Sequence, residues 1–164
     1  MNALATHTAL SAYAVLGNVL ALLILASALF LFARYVGRGP FVALLLSFYA
    51  GYAIYAAFPY LAFLPSAPAL TAVLSHAAVY FGLVLVFYII LRRVVVSDFL
   101  YIGLFGHIIL ATLGAAFLIA LAYHVFSVTD VYHFTPTIAQ LFAPTQYFFY
   151  WFAAPAIGLF FFAR

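Results

Sequence analysis

The sequence is dominated by apolar runs, most of which end sharply at arginine, glycine or proline. A transmembrane helix needs about 20 consecutive apolar residues to cross the hydrocarbon core of a bilayer. Four runs reach that length and a fifth is slightly shorter; they cover residues 12–33, 41–63, 70–91, 99–126 and 146–163. We therefore predict that the whole chain, residues 1–164, forms one all-α integral membrane bundle.

The composition excludes the other broad classes of protein. Charged residues make up 4% of the chain, against about 25% in an ordinary soluble domain, so a soluble fold could not cover its surface. Hydrophobic residues make up 71%, whereas disordered chains are poor in apolar residues. The arginines are scattered beside the apolar runs instead of forming one solvated patch, and we predict no nucleic-acid partner.

The run 146–163 decides how many times the chain crosses the membrane. Its length is near the lower limit for a spanning helix, and Pro155 lies in its middle. It is therefore either a kinked fifth transmembrane helix or a re-entrant C-terminal segment that follows four transmembrane helices.

The arginines favour five transmembrane helices, because cytoplasmic loops collect Lys and Arg. With five crossings all the arginines fall on one side of the membrane; they are Arg34, Arg38, Arg92, Arg93 and Arg164. With four crossings Arg164 falls on the opposite side. We therefore expect five spans, with the N-terminus outside and the C-terminus in the cytoplasm.

Residues with small side chains recur at every fourth position in two of the runs, as they do where membrane helices pack closely. These helix-packing ridges are Ala43, Ser47 and Gly51 in the second run, and Gly103, His107, Ala111 and Ala115 in the fourth. We predict that each ridge contacts another helix, in the same chain or in a second copy.

Two histidines are the candidate cofactor ligands, because ionisable residues inside a bilayer are costly and often functional. His76 and His124 are predicted to lie at one level on antiparallel neighbouring helices. Histidines on facing helices suit the axial positions of haem b; the alternative is that both bond to backbone or water. A zinc site from His124, Asp130 and His133 has suitable ligand types, but irregular spacing argues against it.

No pattern in the sequence indicates catalysis. We find no serine or threonine nucleophile paired with a base and no pair of carboxylates within a span, and we predict that the protein is not an enzyme. Asp98 is expected to pair with Arg92 and Arg93 at the inner face. These arginines, with Arg34 and Arg38, should attract anionic lipid headgroups, and non-specific lipid contact is favoured over a selective pocket.

The order of these features resembles the colicin V production protein family. The resemblance covers roughly residues 20–126 and is carried by the turn Gly37-Arg38-Gly39, by Asp98, and by Gly103 and Gly106. It implies a small bacterial inner-membrane protein linked to toxin export or envelope upkeep. It implies no catalytic residues.

We therefore expect a non-enzymatic membrane protein that acts by helix association, as a homo-oligomeric passage or as a subunit or scaffold of a membrane assembly. Its partners are then the lipid bilayer and either itself or other membrane subunits. The alternatives are a haem-binding or redox membrane protein that uses His76 and His124, or a small transporter. A transporter would more naturally contain helices broken near the middle of the membrane.

Overall fold

The structure is a computed structural model that describes residues 2–95, 102–126, 128–132 and 136–162, with residues 2–18 and 137 described by their backbone alone. Within these residues all regular structure is helical, which confirms the all-α prediction. The helices are α1 (Asn2–Val36), α2 (Arg38–Ala56), α3 (Ala69–Val94), α4 (Leu104–His124), α5 (Pro136–Phe142) and α6 (Thr145–Phe162), with short 3₁₀ helices at Leu61–Phe63 and Val128–Asp130.

Four helices of the described residues are long and apolar enough to cross a membrane. They are Val19–Val36 within α1, and the whole of α2, α3 and α4. Large apolar side chains on the outer surface, such as Leu23, Leu85 and Phe160, are more than half exposed. Such a surface fits helices that are surrounded by lipid.

Two helix ends differ from the apolar runs for local reasons. The second run was predicted to reach residue 63, but α2 ends at Ala56. Pro59 lacks a backbone N–H and disfavours helical geometry at the residue before it, so the helix cannot continue through it. The fourth run was predicted over 99–126, but α4 covers only Leu104–His124; residues 99–101 lie outside the described residues.

The remaining helices are as long as their apolar runs or longer. Helix α1 begins well before the predicted 12–33, and α3 extends 70–91 at both ends. Helix α6 matches 146–163 to within a residue. The short helix α5 lies in the segment 127–145, which the sequence marked only as a mixed stretch.

A single residue joins α1 to α2. Gly37 has φ 108° and ψ 172°, a backbone conformation that is essentially restricted to glycine. Because this reversal takes one residue, the last turn of α1 and the first turn of α2 stay side by side. Arg34 and Arg38 are therefore held at the same place.

Helix α4 is at the centre of the bundle. It packs against α1 and α6, while α2 packs mainly against α3. About half of the residues of α2 and α4 are buried, compared with 11% in the spans of α1 and α3. The largest fully buried side chains come mostly from α2 and α4; they include Phe41, Leu45, Leu110, Phe117 and Leu121, together with Tyr80 from α3.

Helix α6 runs antiparallel along almost the whole length of α4. Near the start of α6, the ring of Phe148 lies 5.0 Å from that of His124. Further along, a Cβ on Gly158 would lie 3.0 Å from Leu110, and near the end of α6 the Cβ of Phe162 would lie 3.4 Å from a Cβ on Gly106. The two helices therefore cover the same depth of the bundle.

The bundle has two chemically different ends. Helices α2 and α3 are antiparallel, because Tyr55 lies beside His76 while Gly51 lies beside Val84. One end of the bundle, called the basic end here, contains Arg34, Arg38, Arg92 and Arg93. The opposite end, called the histidine end, contains His76 and His124.

We expect Gly51→Ala to destabilise the fold. A Cβ at this position would lie 2.7 Å from a methyl group of Val84 and 3.2 Å from its backbone nitrogen. Relieving that overlap should cost about 1–3 kcal/mol of unfolding free energy. Thermal unfolding in detergent measures the effect, and Ala53→Val at an exposed position of the same helix is the control. Equal stabilities of the two variants would contradict the close approach of α2 and α3.

Candidate functional site

A cavity of about 370 Å³ opens at the basic end. It is called the basic cavity here, and its described lining residues are Ala33, Arg34, Gly37, Arg38, Ile102, Gly103, Leu104 and His107. Two arginines, Arg34 and Arg38, line this space. Arg92 and Arg93 do not belong to this lining. The structure thus separates the four arginines of the basic end into two groups.

Two helices begin at the wall of the basic cavity. The N-cap residues of α2 and α4 are Gly37 and Gly103, and neither helix has a side-chain cap hydrogen bond. The first backbone bonds run from Phe41 to Gly37 and from His107 to Gly103, both 3.1 Å. The N–H groups before them have no partner in the helical ladder, and they add partial positive charge beside the arginines.

His107 closes one side of the basic cavity. Its Nδ1 lies 2.9 Å from the carbonyl oxygen of Gly103, one turn earlier in α4, so this nitrogen donates the hydrogen bond. Its ring stacks on Phe41 of α2, with the ring centroids 6.0 Å apart. These two contacts fix the imidazole between α2 and the start of α4.

A groove of about 220 Å³ follows the basic cavity along the contact between α1 and α4. It is called the α1–α4 groove here, and its lining residues are Leu23, Ala26, Ser27, Phe30, Ile108, Ala111 and Thr112. The groove continues the line of Arg34 on α1 and of His107 on α4. The basic cavity and the apolar α1–α4 groove therefore lie one after the other between α1 and α4.

At the histidine end, His76 lies beside Tyr55 and a second cavity. The hydroxyl of Tyr55 is 2.7 Å from Nδ1 of His76. His76 also lines a cavity of about 220 Å³, which includes Ser66 from the loop before α3 and Asp130 from the 3₁₀ helix after α4. The half-buried imidazole thus connects a buried tyrosine to a polar opening.

His124 faces different neighbours from those of His76. Its Nε2 is 2.7 Å from the carbonyl oxygen of Phe142 in α5, so Nε2 is the donor, and its ring packs edge-on against Phe148 of α6. His124 is not part of the cavity that His76 lines. The bond of His124 to a backbone carbonyl is of the kind expected as the alternative to haem ligation, whereas the partner of His76 is the side chain of Tyr55. The haem pair stays a prediction.

The α2 ridge is enclosed within the chain. Ala43, Ser47 and Gly51 are all buried, and the hydroxyl of Ser47 donates to the carbonyl of Leu44 at 2.6 Å. Gly51 permits the close approach to Val84 of α3. This ridge packs inside the bundle.

The α4 ridge divides into two parts. Ala111 and Ala115 are buried in the core, and His107 lies against Phe41. Gly103 differs from the expected helix contact: it is exposed, and no atom of the described residues lies within 4 Å of an added Cβ. The reason is that α4 begins only at Leu104, which leaves Gly103 at the edge of the basic cavity.

A tyrosine of α2 bridges the proline turn of α6. The hydroxyl of Tyr49 donates to the carbonyl of Phe152 at 2.7 Å and accepts the N–H of Ala156 at 3.0 Å. Pro155 lies between these residues and weakens the helical ladder, because it has no N–H and crowds the preceding turn. The hydroxyl thus stabilises the backbone where α6 is weakest.

Sequence reasoning missed Tyr49 and the groove. The only signal for Tyr49 was Pro155 itself, since a proline inside a buried helix requires a neighbouring side chain to satisfy the backbone. Three residues with predicted roles, Asp98, His133 and Arg164, lie outside the described residues. Comparisons of the chain with protein-family models, with curated proteins and with solved structures give no match.

We expect Tyr49→Phe to lower the unfolding free energy by about 1–3 kcal/mol, because a backbone donor and acceptor lose their shared partner. Tyr35→Phe, at a residue that is 83% exposed, should change stability by much less. Denaturant titration in mixed micelles measures both variants. Repeating Tyr49→Phe in a Pro155→Ala background should reduce the loss, because alanine allows a regular helix. An undiminished loss in that background would disprove the bridging role.

Proposed function

We propose that the chain is a bacterial inner-membrane protein with five crossings, its N-terminus outside and its basic end in the cytoplasm. The fifth crossing is supported by α6, which accompanies α4 along almost its whole length. The 18 residues of α6 span about 27 Å, close to the roughly 30 Å of a hydrocarbon core. The four arginines at the basic end support its cytoplasmic position.

The absence of cysteine from the chain allows a direct test of this topology. Single cysteines would replace Tyr35 at the basic end and Phe63 at the histidine end, residues that are 83% and 82% exposed, and a third would follow Arg164. In spheroplasts, an impermeant maleimide should label the Phe63→Cys variant and spare the other two until lysis. Labelling of the C-terminal cysteine in intact spheroplasts would reject the fifth crossing.

The function proposed for this bundle is helix association in the membrane, without enzymatic chemistry, as a homo-oligomer in envelope upkeep or export. The observation that carries it is the outer face of α3. Gly82 is exposed there, with no atom of the described part of the chain within 4 Å of an added Cβ, and Ala78, one turn earlier, is also exposed. Small residues four positions apart allow two membrane helices to approach closely.

The packing of the interior favours a passage between copies over one through a single chain. Large buried side chains of the described residues, among them Phe48, Phe117 and Tyr80, lie between the basic cavity and the cavity beside His76. Phe48 and Phe117 have ring centroids 6.2 Å apart, and Tyr80 uses its hydroxyl to donate to the carbonyl of Phe48. A polar route would therefore have to form where several chains meet.

We expect Gly82→Leu to weaken self-association, because a branched side chain prevents close contact of two α3 helices. Native mass spectrometry from nanodiscs should show multiples of the 18.0 kDa chain for the wild type and mainly single chains for this variant. Ala28→Leu, at an exposed position of α1, is the matched control. A wild-type protein that is monomeric, or that carries only a foreign subunit, would contradict homo-oligomer formation.

A further inference from the structure

We propose that a small cavity between α5 and α6 binds a quaternary ammonium group, such as the trimethylammonium group of choline. The cavity has a volume of about 200 Å³, and its described lining residues are Leu141, Tyr147, Tyr150 and Trp151. It is called the aromatic cavity here. This inference goes beyond helix association and does not depend on the outer face of α3.

Three of the four lining side chains come from one side of α6. Residues three and four positions apart are neighbours on a helix surface, so Tyr147, Tyr150 and Trp151 lie together. Helix α6 begins at Thr145, and the backbone N–H of Tyr147 donates to the carbonyl of Pro144 at 2.9 Å. The three rings therefore lie at the start of α6, beside the end of α5.

Side-chain hydrogen bonds fix the end of α5 against these rings. The last carbonyl groups of a helix have no partner in its own ladder. Here the carbonyl of Leu141 accepts the indole N–H of Trp151 at 2.8 Å, and the carbonyl of Phe142 accepts the imidazole N–H of His124 at 2.7 Å. Helices α4, α5 and α6 are thereby joined beside the aromatic cavity.

The ring of Trp151 is held in place before any ligand binds. Phe142 is buried and stacks on it, with the ring centroids 4.8 Å apart. Phe142 in turn belongs to a buried cluster with Ala116, Ile119 and Ala120 of α4. The indole nitrogen is already bonded within the chain, so Trp151 offers its ring to the cavity and not its N–H. A wall that is fixed in advance lowers the entropy cost of binding.

The chemistry of the lining favours a cation that needs no hydrogen bonds. Aromatic rings attract a cation within about 6 Å of the ring centroid, and tryptophan does so most strongly. The described lining contains two tyrosines, one tryptophan and one leucine, and none of these side chains is charged. A primary ammonium group would lose hydrogen bonds to water on entering such a cavity. A quaternary ammonium group has no N–H and loses none.

The volume of the cavity limits the size of the ligand. Pockets for drug-sized molecules measure about 300–1,000 Å³, whereas about 200 Å³ suits a single trimethylammonium group. Such a group occurs in free choline and at the end of the phosphatidylcholine headgroup. If α6 crosses the membrane, its first turns lie at the level of the lipid headgroups, where aromatic residues are frequent. Both forms of the group can reach the cavity there.

The first test is a titration of the purified full chain, in maltoside detergent, with choline chloride. Trp151 is the single tryptophan of the chain, so its emission reports on this cavity, and saturation transfer to the choline methyl protons measures contact independently. We expect saturable binding. The neutral alcohol in which carbon replaces the choline nitrogen should bind at least about fivefold more weakly. Equal affinities for choline and this alcohol, or no saturable binding of choline, would overturn the proposal.

Variants at exposed positions separate the aromatic rings from apolar contact. Tyr150→Leu should weaken choline binding about threefold, and Tyr147→Leu/Tyr150→Leu about tenfold, because each variant removes cation–π contacts. Tyr150→Phe keeps the ring and should bind within about twofold of the wild type. Phe160→Leu, at an exposed aromatic residue at the other end of α6, is the matched control. Equal losses in Tyr150→Phe and Tyr150→Leu, or in Phe160→Leu and Tyr150→Leu, would overturn the role of the rings.

The source of the ammonium group is tested with lipids. In nanodiscs of phosphatidylglycerol that contain a small fraction of phosphatidylcholine, native mass spectrometry distinguishes the retained lipids by mass. A preference for phosphatidylcholine that is lost in Tyr147→Leu/Tyr150→Leu assigns the cavity to the lipid headgroup. Choline binding without such a preference, or with a preference that the double variant keeps, assigns it to a soluble quaternary ammonium compound.

Discussion

Close packing around α4 is the constraint on which the rest of the structure depends. Lipid offers no hydrophobic driving force between helices, so membrane helices adhere through contact area and interhelical hydrogen bonds. Helix α4 meets this requirement with small residues on several faces. Gly114 admits Leu29 of α1 and Leu45 of α2, while Gly158 of α6 admits Leu110. An added methyl group at either glycine would overlap these leucine methyl groups and force the leucine side chains to move.

The sequence predicts where the helices are but not which of them touch. Arginine, glycine and proline mark most of the breaks, because these residues are costly in hydrocarbon or interrupt the helical ladder. Which helices pair depends on the neighbour that each small residue faces. The four-residue spacing of the small residues does not show this, so it left the helix that contacts Gly51 open. The end of α2 was misplaced because phenylalanine and leucine continue past Pro59 and extend the apolar run without extending the helix.

The residues of the candidate site could be predicted from the sequence, but which of them lie together could not. The sequence placed Arg34, Arg38, Arg92 and Arg93 at one face, and the contacts of their helices agree with that placement. Only the reversal at Gly37 reveals that the first two share a cavity, because its φ of 108° keeps α1 and α2 adjacent. His76 and His124 show the opposite case, since similar positions in the sequence lead to separate hydrogen-bond partners.

The contact between α1 and α4 explains how a largely exposed helix is held to the bundle. Most of the α1 span faces outward, and its packing is mainly against α4. Gly114 of α4 leaves room for Leu29 of α1 at this contact. Because Gly37 couples α1 directly to α2, the docking of α1 on α4 also fixes the first turn of α2. The position of the α2–α3 hairpin, which carries the proposed association face, therefore depends on how α1 packs on α4.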